Sequence, residues 1–268
     1  MSRAQPSAPV SSPSRSGLSG AKIAILTAHG QPSAPAPAEK ALAQLAQEVA
    51  KLLPDWEIRS ATLASPGRLE QVMEDGALIY PFFMASGWFT SQVLPKRLQG
   101  FTYQQLPPFG QDPALPQLTA ELLQQTIRPA PSPGADTPAP DKPVVLLTAH
   151  GSARGPKAAE ATEDFARALR PLLPSLELCT CYIEQPPFVA DVAKDLPPGS
   201  LCLPFFAQSG NHVTGDIPEA LAEAQFTGKT LAALGRDSAI PDLISRAILR
   251  AIQTNLTDDA PSPSLLGR

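Results

Sequence analysis

The feature that most limits what this chain can fold into is that it repeats itself. Residues 23–30 read IAILTAHG and residues 144–151 read VVLLTAHG. YPFFMASG (80–87) returns as LPFFAQSG (203–210), and FGQDPALPQLTAELL (109–123) as LGRDSAIPDLISRAI (234–248). The order is kept, and the offset drifts only from 121 (Ile23 to Val144) to 125 (Phe109 to Leu234). Two copies of one unit of roughly 110 residues, fused head to tail, account for this. Self-similarity at a fixed period means one folding unit used twice.

Each copy alternates strand and helix patterns. In the second, 143–149 is a continuous apolar run, as in a strand covered on both faces. Residues 156–173 carry a helical stripe, Ala159, Phe165, Leu169 and Leu172, and prolines bracket them. Strands are expected at 176–183, 200–206 and 229–234, and helices at 187–195, 214–224 and 240–254. The first copy follows suit, with strands near 22–28, 57–63, 77–83 and 101–106 and helices near 35–53, 67–74, 90–98 and 115–128. Strict alternation implies an α/β fold in which helices cover both faces of a parallel sheet. Two tandem flavodoxin-like lobes are expected, each with four strands in the order 2-1-3-4, and a cleft between them. Residues 21–128 form one lobe and 142–255 the other. The segment 1–20 is expected to be a disordered tail, 129–141 (PAPSPGADTPAPD) a Pro-rich semi-rigid linker and 256–268 a second tail.

Composition removes several function classes. Net charge is −4, aromatic content 6% and no basic patch is visible, which argues against nucleic acid. No apolar run reaches membrane-spanning length, and the first 20 residues lack the apolar core of a secretory signal. A cytoplasmic protein is expected. The three cysteines, Cys179, Cys181 and Cys202, sit in apolar strand-like runs and read as small buried hydrophobes. A zinc or iron–sulfur site would need more soft ligands at suitable spacing.

The copies differ where chemistry is expected. In an open α/β sheet, ligands bind beyond the carboxyl ends of the strands, at the switch in strand order. His150 follows the first strand of the second copy, Glu184 the second and His212 the third. The first copy keeps His29 but has Ala64 and Phe89 at the other two places. Two imidazoles and a carboxylate can bind a metal and move protons. Other chemistries lack their signatures: Ser152 is not in a G-x-S-x-G elbow, H-G-S-A-R-G has the wrong glycine spacing for a dinucleotide, and no HExxH occurs.

The second copy resembles the class II tetrapyrrole chelatases, specifically the sirohydrochlorin chelatases. The resemblance rests on VVLLTAHGSARG (144–155), CYIEQPPFVADVA (181–193), LPFFAQSGNHVTGDIPEAL (203–221) and LGRDSAIPDLI (234–244). It covers the second copy, and the first more weakly. It implies insertion of a divalent metal into a tetrapyrrole without a nucleotide or other cofactor. His150 and His212 would bind the metal or accept pyrrole protons, assisted by Glu184. Ser152, Arg154 and Asn211 would contact the substrate, with Lys157 near Arg154. Trp88 and Phe89 of the other lobe stand where a ligand would otherwise be and could pack either against a macrocycle face or simply within the cleft. Thr214 and Asp216 read as caps of the following helix.

The resemblance implies a sirohydrochlorin chelatase of cobalamin or siroheme synthesis. Cobalt is favoured over iron or nickel by family frequency, because His and Glu ligation does not separate these metals. A non-catalytic tetrapyrrole or metal carrier is the alternative, motivated by the eroded first copy. A two-lobed binding protein of other function is a third. Neither nucleic acid nor membrane is an expected partner, and the fused repeat is compatible with a monomer.

Overall fold

The structure is a computed structural model. It describes residues 22–127, 143–153 and 155–258, with side chains to residue 253. The expected N-terminal tail, the Pro-rich linker and residues 259–268 of the expected C-terminal tail lie outside the described residues, as does Arg154.

The N-terminal lobe runs β1 (Lys22–Ala28), α1 (Pro35–Leu52), β2 (Trp56–Thr62), α2 (Arg68–Val72), β3 (Ala77–Pro81), α3 (Leu94–Arg97), β4 (Tyr103–Gln105) and α4 (Leu115–Ile127). The C-terminal lobe repeats the plan: β5 (Val144–Ala149), α5 (Lys157–Leu169), β6 (Glu177–Tyr182), α6 (Val189–Ala193), β7 (Leu201–Pro204), α7 (Ile217–Glu223), β8 (Lys229–Thr230) and α8 (Ile240–Asp258). Each sheet has four parallel strands, in the orders β2-β1-β3-β4 and β6-β5-β7-β8. This is the expected fold class and strand order. The central strands are continuous apolar runs because both faces are covered: every residue of β5 is buried. The buried stripe Leu42, Ala46 and Val49 sets how α1 lies on its sheet.

Three details depart from expectation. β8 is only two residues long, because it is an edge strand bonded to β7 alone before the chain turns toward α8. The closing helix α8 runs on to Asp258, into the segment expected to be a tail. α3 and α7 are each preceded by a π-helical turn, Phe89–Val93 and His212–Asp216. A single wide turn of this kind is often found at a functional site.

The lobes are locked together by their last helices. α8 lies against α1 and β3 of the N-terminal lobe, while α4 lies against α5 of the C-terminal lobe. One hydrophobic core therefore spans both, running from Leu26, Leu42 and Phe109 to Leu147, Phe165 and Ile244. The outer faces keep separate cores around Ile25 and Leu94 in one lobe and Leu146 and Ile217 in the other. An ion pair crosses the boundary: Arg250 of α8 donates to both oxygens of Asp112 at 2.9 and 2.8 Å, and the Asp112 side chain is only 4% exposed.

Two glycines bring the loops after β3 and β7 into place. Gly110 donates its N–H to Phe83 and Gly235 to Phe206, both at 2.9 Å. A Cβ on either would stand 2.1 Å from a carbonyl oxygen, of Met84 or Ala207. That explains the F-G and L-G pairs that begin the third repeated segment. Gly235→Ala is expected to destabilise the protein by about 2 kcal/mol or more, since backbone must move. Urea unfolding checks this.

Candidate functional site

Both lobes build the same turn after their first strand. His29 and His150 are each followed by a glycine with positive φ, +76° at Gly30 and +69° at Gly151. Left-handed backbone favours glycine, and a Cβ on Gly151 would also lie 2.9 Å from Cβ of Tyr182 and 2.7 Å from Cγ of Gln185. The turn brings the glycine carbonyl back to the imidazole: Nδ1 lies 2.7 Å from the Gly30 oxygen for His29 and 2.9 Å from the Gly151 oxygen for His150.

The next loop is held the same way in both copies. Ala64 donates its N–H to His29 oxygen, and Glu184 donates to His150 oxygen, each at 2.9 Å. The π-turns supply the third position, Phe89 in one lobe and His212 in the other. The His29 and Phe89 rings meet edge to face with centroids 4.3 Å apart and planes at 84°, while His150 and His212 meet at 4.5 Å and 89°. Backbone and ring geometry are thus shared by the copies, and only the C-terminal lobe has an imidazole at both ring positions.

Hydrogen bonds assign the tautomers. His150 Nδ1 faces a carbonyl, and His212 Nδ1 lies 2.5 Å from Oδ2 of Asp216. Both Nδ1 atoms donate, so with both imidazoles neutral the two Nε2 atoms keep their lone pairs, 3.1 Å apart. Two acceptors at that distance are satisfied only by a shared proton or a cation. One ion about 2.1 Å from each nitrogen would hold them as adjacent ligands, leaving its other positions open. Glu184 Oε1 stands 3.6 Å from His150 Nε2. Among the described residues, no three His, Cys, Asp or Glu side chains form a closed metal-holding group. The site is therefore a two-imidazole site with a carboxylate beside it.

Asp216 corrects the sequence reading. It occupies the cap position of α7, but its carboxylate makes no cap bond and instead orients His212. The spacing His-x3-Asp was the available signal, since side chains four apart on a helical turn are neighbours. Thr214 likewise donates back to Gly210 oxygen within the π-turn, at 3.3 Å.

The histidine pair opens into a cleft of about 390 Å³ between the lobes. His150 and His212 line one side, with Phe206; Phe83, Met84, Phe89 and His29 line the other. The repeated P-F-F segments divide their labour. Phe82 and Phe205 are buried against Phe109 and Phe165, while Phe83 and Phe206 are more exposed and face the cleft. The expected strands 77–83 and 200–206 took in both phenylalanines of each segment, and this lining was not foreseen.

Other sequence-derived candidates fare unevenly. Trp88 is 65% exposed and sits edge-on to Phe89 at 5.2 Å, beside the cleft lining. Asn211 is exposed at the head of the π-turn. The N–H of Ser152 donates to Gln185 Oε1 at 2.8 Å, and α5 begins only at Lys157, so the turn after His150 is not itself the helix N-terminus. The three cysteines are unpaired. Burial pushes their thiols up, to about 11 for Cys179 and Cys202 and about 12 for Cys181. Their burial fits small structural side chains within the sheet.

Two substitutions test this geometry through Co²⁺ absorbance titrations. Asp216→Ala is expected to weaken binding about 10- to 100-fold by releasing the His212 ring. Phe89→His is expected to raise the stoichiometry from one ion per chain to two. The new site should be the weaker, because Val93 stands where Asp216 stands in the C-terminal lobe.

Comparison with known proteins agrees with the geometry. A family model described as CbiX matches residues 144–251, within the lobe that carries both histidines. The structure of CbiX from denitrifying bacteria, described as the terminal enzyme for biosynthesis of siroheme, is 40% identical with a TM-score of 0.76. The match covers 86% of this chain and 99% of that one. SirB from Bacillus subtilis with Fe³⁺ is 14% identical with a TM-score of 0.64, covering 89% and 98% of the two chains. The sirohydrochlorin chelatase SirB from the subspecies spizizenii, in complex with cobalt, is also 14% identical, with a TM-score of 0.55 and coverage of 89% and 97%. These last two share the fold. No protein of curated function matches. With 40% identity over nearly the whole length of a CbiX protein and a C-terminal lobe that matches the family model, the chain belongs to the CbiX family.

Proposed function

We propose that the protein is a sirohydrochlorin chelatase that inserts a divalent metal, cobalt before iron or nickel, into a tetrapyrrole on the way to siroheme or cobalamin. The observation that carries this reading is the pair of imidazole Nε2 atoms 3.1 Å apart in an apolar cleft. Family membership and the siroheme role of the CbiX relative support it. The preference for cobalt rests on family frequency.

Insertion replaces two pyrrole N–H bonds with metal–nitrogen bonds, so one M²⁺ enters and two protons leave. His150 and His212 hold the ion as adjacent ligands, with its open side toward the macrocycle. Imidazole suits this step because it binds borderline metals without the permanence of a closed thiolate cage. As ring nitrogens take the ion, each imidazole Nε2 regains a lone pair and can accept a pyrrole proton. Glu184, beside His150, takes protons on from the imidazole and passes them to solvent. Asp216 keeps the His212 Nδ1–H engaged, so Nε2 stays the working nitrogen. Phe83, Phe89 and Phe206 offer apolar faces for a flat macrocycle. In this reading Trp88 extends that wall, and Ser152, Arg154 and Asn211 border the ring.

His150→Ala and His212→Ala should each lower metal insertion at least about 100-fold, whereas His29→Ala should cost only a few-fold. The assay follows the absorbance of sirohydrochlorin in excess over protein with Co²⁺, Fe²⁺ or Ni²⁺. Many turnovers per chain are expected. A spectral shift that stops at one equivalent would instead mark a carrier, and full activity of the His212→Ala protein would overturn the assignment.

A further inference from the structure

A second groove, of about 600 Å³, lies between the lobes and is roomier than the histidine cleft. It runs along α1 and the turn that opens α8. The two spaces adjoin, since Phe82, Ala207 and Gln208 line both. Its walls include the apolar Leu45, Leu52 and Pro241, and Arg236 and Lys51 add two cations. Both cations are exposed, and among the described residues no carboxylate lies within ion-pair distance of either. Two of the groove's acids are committed elsewhere. Asp242 is held by Arg246 at 2.9 Å, and Asp237 accepts the N–H of Ala239 at 2.9 Å. Glu48, one turn from Lys51 on α1, is the acid that remains.

The duplicated sequence again provides a comparison. In the segment FGQD of the first copy, Gln111 stands where LGRD of the second has Arg236. The fold does not require a cation at this turn, because both copies make the same turn and the same glycine contact. The charge occurs only in the lobe that also carries the paired histidines.

We infer that this groove is the carboxylate-recognition half of the substrate site, and that Arg236, with Lys51, sets the preference for a highly carboxylated tetrapyrrole. The inference rests on the chelatase reading above. A macrocycle seated over the imidazoles fills a 390 Å³ cleft with its ring, so its peripheral acid chains must leave through the sides. This groove adjoins the cleft and presents Arg236 and Lys51 there, beside the carboxylates of Glu48, Asp237 and Asp242. A guanidinium binds carboxylate through two parallel hydrogen bonds, which an amide cannot reproduce. Arg236 touches the periphery of the substrate and not the reacting nitrogens, so it acts on binding.

The test is Arg236→Gln, which installs the residue of the first copy at an exposed position and leaves folding intact. KM for sirohydrochlorin should rise about tenfold, as for loss of one charge-assisted contact. The value of kcat should shift much less, and KM for Co²⁺ should not move. Fluorescence titration of the metal-free protein supplies a second readout. The wild type should bind uroporphyrin, with eight carboxylates, more tightly than coproporphyrin, with four. The variant should lose most of that preference, and Glu48→Gln should sharpen it. Wild-type insertion with an Arg236→Gln protein unchanged in KM and in preference would overturn the groove assignment alone. A wild type that binds neither porphyrin and inserts no metal would remove the chelatase reading with it.

Discussion

The exchange of terminal helices between the lobes is the constraint on which the rest depends. Because α8 rests on α1 and β3, and α4 on α5, the inner faces of both sheets share one core. The ends of two independently twisted sheets are thereby held at a fixed separation, and the loops beyond β1, β3, β5 and β7 face one another across a cleft. A protein interior is packed as densely as an organic crystal and does not deform smoothly, so the cleft inherits the rigidity of the core. The buried Asp112 carboxylate, clamped by Arg250 from the other lobe, adds direction to that contact. Desolvation offsets much of such a pair's attraction, so its value lies more in fixing how the lobes meet than in net stability.

On that scaffold, two lobes of the same plan carry a polarised site. Both lobes retain the His-Gly turn, the loop bonded back to the histidine carbonyl and the π-turn that presents a ring edge to face. The C-terminal lobe fills these positions with two imidazoles and a carboxylate, and the N-terminal lobe with one imidazole, an alanine and a phenylalanine. A glutamate of the first helix fastens the end of the second strand in both lobes; in the C-terminal lobe Glu163 accepts from the Thr180 and Tyr182 hydroxyls at 2.6 and 2.7 Å. In the N-terminal lobe Glu39 accepts from Thr62 N–H and from the Thr62 and Ser65 hydroxyls, at 2.7 to 3.0 Å, fastening the loop that carries Ala64. Beside the corresponding loop of the C-terminal lobe, Glu184 is left 46% exposed next to His150. One lobe offers nitrogen lone pairs and the other an apolar wall, a division suited to a flat, nitrogen-rich ligand.

Much of this was legible in the sequence, because strand order and the repeat are both linear properties. Apolar runs alternating with amphipathic segments imply the doubly wound sheet, and the order 2-1-3-4 brings the ends of strands one, two and three together. His150, Glu184 and His212 could therefore be placed on one edge without coordinates. What could not be read depends on side-chain direction. Asp216 looked like a helix cap because a π-turn ahead of α7 is invisible in composition. The second phenylalanines of the P-F-F pairs fell inside the expected strands, because an apolar run gives no sign of where a strand ends and its loop turns outward. The exchange of α4 and α8 was hidden for a similar reason: an amphipathic stripe states that a helix is covered, not by which lobe.

The central claim is that His150 and His212 converge on one metal ion. X-ray absorption at the cobalt edge, on protein loaded with one equivalent of Co²⁺ and no tetrapyrrole, tests it most directly. The account predicts two imidazole nitrogens at about 2.0–2.1 Å, with oxygen completing the shell. A shell of oxygens alone, or one containing thiolate sulfur at about 2.3 Å, would contradict it.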